Sequence, residues 1–323
     1  MQPVTPPPHK MDELRVPCAL STHGSAIPKE SVTGGSEMAE QQPFDAAQYK
    51  RAQREQWNRD GAAWRRWNPM LDRWYGEVTR LMLDSAGIRP GQRILDIAAG
   101  AGEPAISAAE RVGPDGYVLA TDLSEGIVAL AQEEAHGRGL RQVHTRVMDG
   151  ERLDLQDATF DAVICRLGLM YMPHPLDALR EWRRVLSADG RVALVVFSTP
   201  DRNDWGAVPA AIIRRHAGLA APVPGQPGPF SLGAPGRLDA LLREAGFEFP
   251  VVRAVPVPHR ATRAEQFVQV AREAFGGLNA MMAHLPEAAQ RAAWDEIALD
   301  MRRFESASGF EVGGECLLAS ASK

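Results

Sequence analysis

The run Ile94-Leu95-Asp96-Ile97-Ala98-Ala99-Gly100-Ala101-Gly102-Glu103-Pro104 decides the fold. Its apolar first half has the length of a short buried strand. The glycines that follow let the backbone bend sharply and approach a ligand with no Cβ in the way. Pro104 suits the opening turn of a helix. Strand, glycine bend and helix together form the first βα unit of a doubly wound sheet.

Outward from this run the same alternation repeats. Strands are predicted at 93–97, 117–121, 142–148, 160–167 and 191–198, separated by helices at 104–111, 124–138 and 175–186. Strands joined through helices imply right-handed crossovers and a parallel sheet covered on both faces. Further on come a Pro/Gly loop at 221–236, a helix at 237–245 and a strand at 249–255. A long helical insertion at 261–304, interrupted at Gly276–Gly277 and Pro286, precedes a closing strand at 315–320. The expected fold is therefore α/β: a Rossmann-like, doubly wound, seven-stranded, mostly parallel sheet with N-terminal helices and a helical insertion before the last strand.

Upstream, Met70, Leu71, Trp74, Val78, Leu81 and Met82 recur at helical spacing, with Pro69 at the expected start and Gly87 at the close. The segment 48–67 reads as a separate, weakly periodic helix. Residues 1–40, rich in Pro, Ser, Thr and Gly, cannot bury enough surface to offset ordering entropy and are expected to form a disordered leader. The remainder, 41–323, reads as one domain, with 41–90 as an N-terminal helical lid and 200–236 and 256–312 as substrate-covering segments.

The 323 residues carry a net charge of -5, which offers no general attraction to a phosphate backbone and argues against nucleic-acid partners. Cys18, Cys165 and Cys316 are far apart and form no CxxC pair, so neither a disulfide framework nor a zinc site is supported; no metal is expected. No apolar run reaches the roughly 18 residues that a membrane span needs, and no signal-peptide pattern opens the chain, so the cytoplasm is the default.

Acidic residues surround the glycine bend. Asp96 ends the first strand, Asp122 follows Gly102 by 20 positions at the end of the second strand, and Asp149 ends the third. An aspartate at the second position can accept two hydrogen bonds from vicinal ribose hydroxyls, and one at the third can receive an adenine amino group. Each also has a plainer reading: Asp122 as a helix cap, Asp149 as part of an Asp-Gly turn. The glycines alone fit a dinucleotide such as NAD as well as S-adenosylmethionine (SAM). Asp96 at the strand mouth and Glu103 at the helix N-terminus favour a cationic ligand over a pyrophosphate.

The segments Asp96-x-x-x-Gly100-x-Gly102, Asp122-Leu123-Ser124, Met148-Asp149-Gly150 and Phe160-Asp161-Ala162-Val163-Ile164-Cys165-Arg166-Leu167-Gly168-Leu169-Met170 resemble successive motifs of class I SAM-dependent methyltransferases. Within that class they resemble the ubiquinone/menaquinone biosynthesis C-methyltransferase group, from about Gln92 to Ser198. The resemblance implies a small-molecule substrate and SAM as cofactor. It places Asp96, Ala98, Gly100 and Gly102 around the methionine moiety and Asp122 on the ribose. Leu123 falls against the adenine, Asp149 and Gly150 at its edge, and the Arg166 backbone near the ammonium. Ala99 departs from the cysteine common in that group, a small residue either way.

Methyl transfer from a sulfonium needs alignment and water exclusion, and a base only where the accepting atom must lose a proton. His174, in Tyr171-Met172-Pro173-His174-Pro175 after the fourth strand, is the candidate base, or else a turn residue before a helix. Tyr171 and Trp205, beyond strand ends, are candidates to face the methyl group. Trp57, Trp64, Trp67, Trp74 and Tyr75 suit either a lid or a packed helix face. Phe267, Phe275, Leu278, Met281, Met282 and Phe304 are expected to wall an apolar pocket. The carbon or oxygen of a hydrophobic or aromatic metabolite is the expected acceptor, and a homodimer is compatible with the class. An NAD-dependent oxidoreductase and a non-catalytic SAM-binding protein are the rival readings.

Overall fold

Strong burial in β1 (Arg93–Ile97), where only Arg93 reaches solvent, is what a strand flanked on both sides requires. The computed structural model describes residues 44–323; the expected leader at 1–40 and Cys18 lie outside the described residues.

Among the described residues, a single helix, α1 (Ala46–Ser85), precedes β1. After it the chain alternates: α2 (Ala105–Val112), β2 (Tyr117–Asp122), α3 (Glu125–Gly137), β3 (Val143–Val147), β4 (Phe160–Arg166), α4 (Pro175–Val185), β5 (Leu186–Phe197) and α5 (Asp204–Ala217). Then come α6 (Arg237–Glu244), β6 (Glu248–Pro256), β7 (His259–Ala261), α7 (Ala264–Ala274), α8 (Gly276–Met281) and α9 (Glu287–Met301), followed by β8 (Glu305–Ser306), β9 (Gly309–Val312) and β10 (Glu315–Ser322).

The main sheet has the order β3-β2-β1-β4-β5-β10-β6. Its first five strands pair in parallel, and β10 runs antiparallel between β5 and β6. The seven-stranded, mostly parallel sheet expected from the sequence is the one observed. Order reverses at β1, which lies between β2 and β4, so a crevice opens beyond the C-terminal ends of those strands. Ala162, Val163, Ile164 and Cys165 of β4 are fully buried, and the last strand brings Cys316, Leu318, Ala319 and Ala321 into the same core.

Three local expectations are corrected. Pro69 does not start a helix; it lies inside α1, which is continuous over 40 residues. The lost backbone hydrogen bond is offset by tertiary anchoring on both sides of the proline. Indole N–H groups of Trp64 and Trp74 donate to the carbonyls of Ala274 and Arg260, and that of Trp67 donates to the Glu273 carboxylate. Second, α5 occupies part of the stretch after 198 where no helix was assigned. Third, β7, β8 and β9 form a separate three-stranded sheet from the two ends of the helical insertion, strands too short to leave a strand-length pattern. Among the described residues, no helix is long and apolar enough to cross a membrane.

Candidate active site

The bend after β1 is held by conformations that leave backbone groups facing outward. Gly102 has φ +124°, closed to residues with a Cβ, and Ala98 takes a left-handed φ of 55° despite its side chain. Such strain at a non-glycine residue persists only where surroundings impose it, commonly at ligand sites. Asp122 fixes the bend. One carboxylate oxygen accepts from Gly100 N–H at 3.2 Å, the other from Ser124 N–H at 3.0 Å. The helix cap is Ser124, whose Oγ accepts from Ile127 N–H at 3.1 Å, so Asp122 is left to face the cavity.

That cavity sits over the ends of β1, β2 and β4. Ala98, Gly100, Asp122, Leu123, Asp149, Gly150, Arg166 and Tyr171 all line it, which brings together most of the residues singled out from the sequence. Gly150 is held close: a Cβ there would come within 2.6 Å of Met172 Cε and 2.8 Å of Ile97 Cγ2. Its carbonyl accepts from the Trp182 indole at 2.9 Å.

Asp96 and Gly102 lie beneath the lining, not on it. Asp96 is fully buried, and neither carboxylate oxygen meets a donor in good hydrogen-bonding geometry, the Ala105 N–H being the backbone group set against it. Burial pushes its carboxyl well above the usual range; the Arg166 guanidinium opposes this, while Glu103 and Asp122 reinforce it. An unpaired buried carboxylate at a strand tip is costly unless a cation approaches. Glu103 lines the cavity, and its carboxyl, also raised by burial, accepts from Ser107 Oγ at 2.7 Å. Arg166 contributes more than its backbone. Its guanidinium donates to Thr79 Oγ1 at 2.9 Å and to the Glu103 carbonyl at 3.0 Å, tying β4 to α1 and to the bend.

Asp149 combines both of its readings. One oxygen accepts from Glu151 N–H at 3.0 Å, closing the Asp-Gly turn, and the other pairs with Lys50 Nζ at 2.6 Å. Lys50 also meets Glu151 at 2.5 Å, so the first turns of α1 are strapped to the loop after β3.

The structure does not bring His174 to the cavity. It is exposed, precedes α4 as its capping residue, and uses its backbone N–H to donate to Glu151 at 2.8 Å. The flanking prolines turn the chain outward there. Trp205 is likewise elsewhere, buried and stacked on His259 at 4.9 Å. Phe267, Phe275, Leu278, Met281, Met282 and Phe304 do not line the cavity: they pack into or against the hydrophobic core, with Phe267 and Met282 wholly buried. Tyr171 does line it, with Trp57 edge-on at 6.5 Å and Trp64 at 5.4 Å from Trp57. Burial raises the Tyr171 phenol, which keeps it a neutral hydrogen-bonding group.

Tyr49, Lys50 and Gln53 line the cavity but were not foreseen. With Trp57 and Trp64 they share one face of α1 at near-helical spacing (49, 53, 57, 64), a signal obscured by the polar residues between them.

Fold and site together define a Rossmann-like α/β protein with an acidic cavity beyond the ends of its parallel strands. Residues 95–194 match the family described as the methyltransferase domain. The chain is 34% identical over 183 residues to nocamycin O-methyltransferase of Saccharothrix syringae, covering 53% of this chain and 64% of that one. It is 40% identical over 113 residues to the ubiquinone/menaquinone biosynthesis C-methyltransferase UbiE of Bordetella parapertussis, covering 35% and 43%. The chain thus spans less than two thirds of the length of these relatives. Among solved structures, a candidate methyltransferase from Bacillus halodurans superposes with a TM-score of 0.53 at 21% identity, covering 76% of this chain and 98% of that one. The YcgJ protein of Bacillus subtilis gives 0.51 at 20% identity, covering 77% and 98%. The Rossmann-like fold and the resemblance to SAM-dependent methyltransferases of the UbiE group, read from the motifs, are both borne out.

Proposed function

We propose that the protein transfers the methyl group of SAM to a carbon or oxygen of a small hydrophobic or aromatic molecule. One observation carries this reading. The aspartates of three neighbouring strand tips converge on one cavity, with Asp122 and Asp149 on its wall and the unpartnered Asp96 just beneath. A pyrophosphate would be repelled by that arrangement; a nucleoside bearing positive charge is attracted to it.

Asp122 would hold the ribose hydroxyls while still bracing Gly100. Leu123 would lie against the adenine, with Asp149 and Gly150 at its edge. Asp96, with Ala98, Gly100 and Gly102 forming the bend, would face the amino-acid tail. When bound, SAM supplies an electrophilic methyl on a sulfonium. The chain's own task is to align the acceptor and exclude water. Trp57, Trp64 and Tyr171 form an uncharged wall suited to a flat apolar acceptor, and Tyr171 is the residue we assign to contact it. With His174 outside the cavity, a histidine base is not part of this scheme. Residues 41–90 act as a lid in this reading, and 200–236 and 256–312, none of which line the cavity, brace that lid from behind. We place the reaction in cytoplasmic secondary metabolism, as the O-methyltransferase relative suggests; nothing favours a nucleic-acid partner, and a homodimer is compatible.

Thermal shift tests the cofactor. At about 100 times its dissociation constant a ligand adds roughly 2.7 kcal/mol to native stability. SAM or S-adenosylhomocysteine should raise the melting temperature and NAD should not; the reverse would indicate an oxidoreductase. S-adenosylhomocysteine release with a panel of phenols and quinols tests turnover, and binding without release from any member would indicate a sensor.

A further inference from the structure

Tyr75 of α1 is buried, yet it is part of the cavity wall. Its hydroxyl lies 3.0 Å from His259 Nε2. His259 comes from β7, in the insertion. It is wholly enclosed, does not line the cavity, and is packed by Trp74 at 4.7 Å and Trp205 at 4.9 Å. The methyl-transfer scheme uses neither residue, and a buried phenol–imidazole pair bridging two covering segments calls for a role.

The imidazole decides the polarity of the phenol. Burial lowers its pKa to about 3, so the ring is neutral and cannot take the phenolic proton. Nδ1 has no partner within hydrogen-bonding geometry, and the Val257 carbonyl is the backbone group set against the ring. A proton on Nδ1 tolerates that carbonyl, whereas a bare lone pair would be repelled by it. Nε2 is then the acceptor, the tautomer being assigned from its surroundings. Tyr75 then donates its O–H to His259, which leaves its oxygen lone pairs free to accept.

Position adds the identity of the group met there. The Tyr75 ring centre lies 5.8 Å from Arg166 Cζ, and Arg166 is bonded to the Glu103 carbonyl at the glycine bend. That is the end opposite Leu123 and Asp149, where the amino-acid tail of the nucleoside would run. We propose that the Tyr75 oxygen accepts a hydrogen bond from the ammonium of that tail, and that His259 is the positioning residue that aims it. The inference rests on the nucleoside reading above and deepens it: the tail is recognised jointly from α1 and from the insertion, so the insertion takes part in cofactor binding without touching the cofactor.

Calorimetric titration of the full chain with three probes tests this. S-adenosylhomocysteine carries the whole tail, its decarboxylated analogue keeps only the amine, and 5′-methylthioadenosine has neither. Tyr75→Phe should weaken the first two about tenfold, as expected for a hydrogen bond to a charged group. It should leave methylthioadenosine within about twofold, which also shows that the variant is folded. His259→Phe should reproduce the pattern, and His259→Gln, whose amide can accept from the phenol, should restore most of the affinity. Equal weakening of all three probes, or of none, would overturn the inference, as would a loss confined to the carboxylate-bearing probe. Failure of the unmodified protein to bind any of them would overturn the nucleoside reading itself.

Discussion

The stretch from β1 to β5 and the segments that cover it are built on different principles. In the first, β1, β2 and β4 are short apolar runs buried on both faces, β3 is the exposed edge, and each strand pairs with the next in sequence except where β4 returns beside β1. In the second, α1 is joined to the covering segment 256–312 by contacts across 184 to 210 positions, such as Trp64 to Ala274, Trp74 to Arg260 and Tyr75 to His259, and α5 meets α9 across 80, His216 to Glu296. The comparison teaches that the sheet half brings Gly100, Asp122, Asp149 and Arg166 to the cavity by local order alone, while α1 closes the wall with residues held by polar contacts set in aromatic packing.

The sharpest way to test this contrast is to damage each half separately. Ile164→Ala, in the centre of β4, should cost about 2–5 kcal/mol by leaving a cavity in a fully packed core, and chemical denaturation will measure it. A loss below about 0.5 kcal/mol would mean that the sheet is not the dominant stability element.

Asp122→Ala should weaken SAM or S-adenosylhomocysteine binding by about 1.5–3 kcal/mol. Unchanged affinity would detach the ribose role from this residue. Because Asp122 also braces Gly100 and Ser124, a modest stability loss should accompany it.

His259 gives the cover its own pH signature. The folded state holds the ring neutral, whereas the unfolded chain protonates it near 6.5. Stability should therefore fall as pH drops through 6.5 and level off towards 3, by at most about 1.4 kcal/mol per pH unit. His259→Gln should remove this slope in melting curves recorded across that window. An identical acid slope in the variant would assign it to other groups.

Lys50→Met separates electrostatics from packing at the start of α1. With its two carboxylate partners half-buried or better, the loss should stay near or below about 1 kcal/mol at low salt and shrink in molar salt. The smallest effect expected is that of His174→Ala, within about 0.5 kcal/mol in stability and without change in methyl transfer. A collapse of turnover would return His174 to the reaction.

How much could be read in advance follows the same division. Gly100, Asp122 and Asp149 were legible as cavity positions because a parallel strand ends where its apolar run ends, and the residues at and just past that point lie at the rim; Asp96, one residue earlier than its strand's end, lies beneath it. Tyr49, Lys50 and Gln53 were not, since a helix face identifies a buried stripe without saying what is buried against it. His174 misled for a related reason: proximity in sequence to a strand end does not fix the direction of a proline-flanked turn. The methionines and phenylalanines of the insertion have the composition of a ligand wall and of a core alike, and only packing separated the two.

The sequence by itself determined the alternating αβ order, the strained glycine bend and the acidic strand tips, because these depend on local periodicity and backbone sterics. Tertiary structure alone decided that α1 passes unbroken through Pro69, that Lys50 straps Asp149, and that His259 stands behind Tyr75. Those are meetings of distant residues whose energies come from desolvation and hydrogen bonding in a shared interior, quantities that no local pattern encodes.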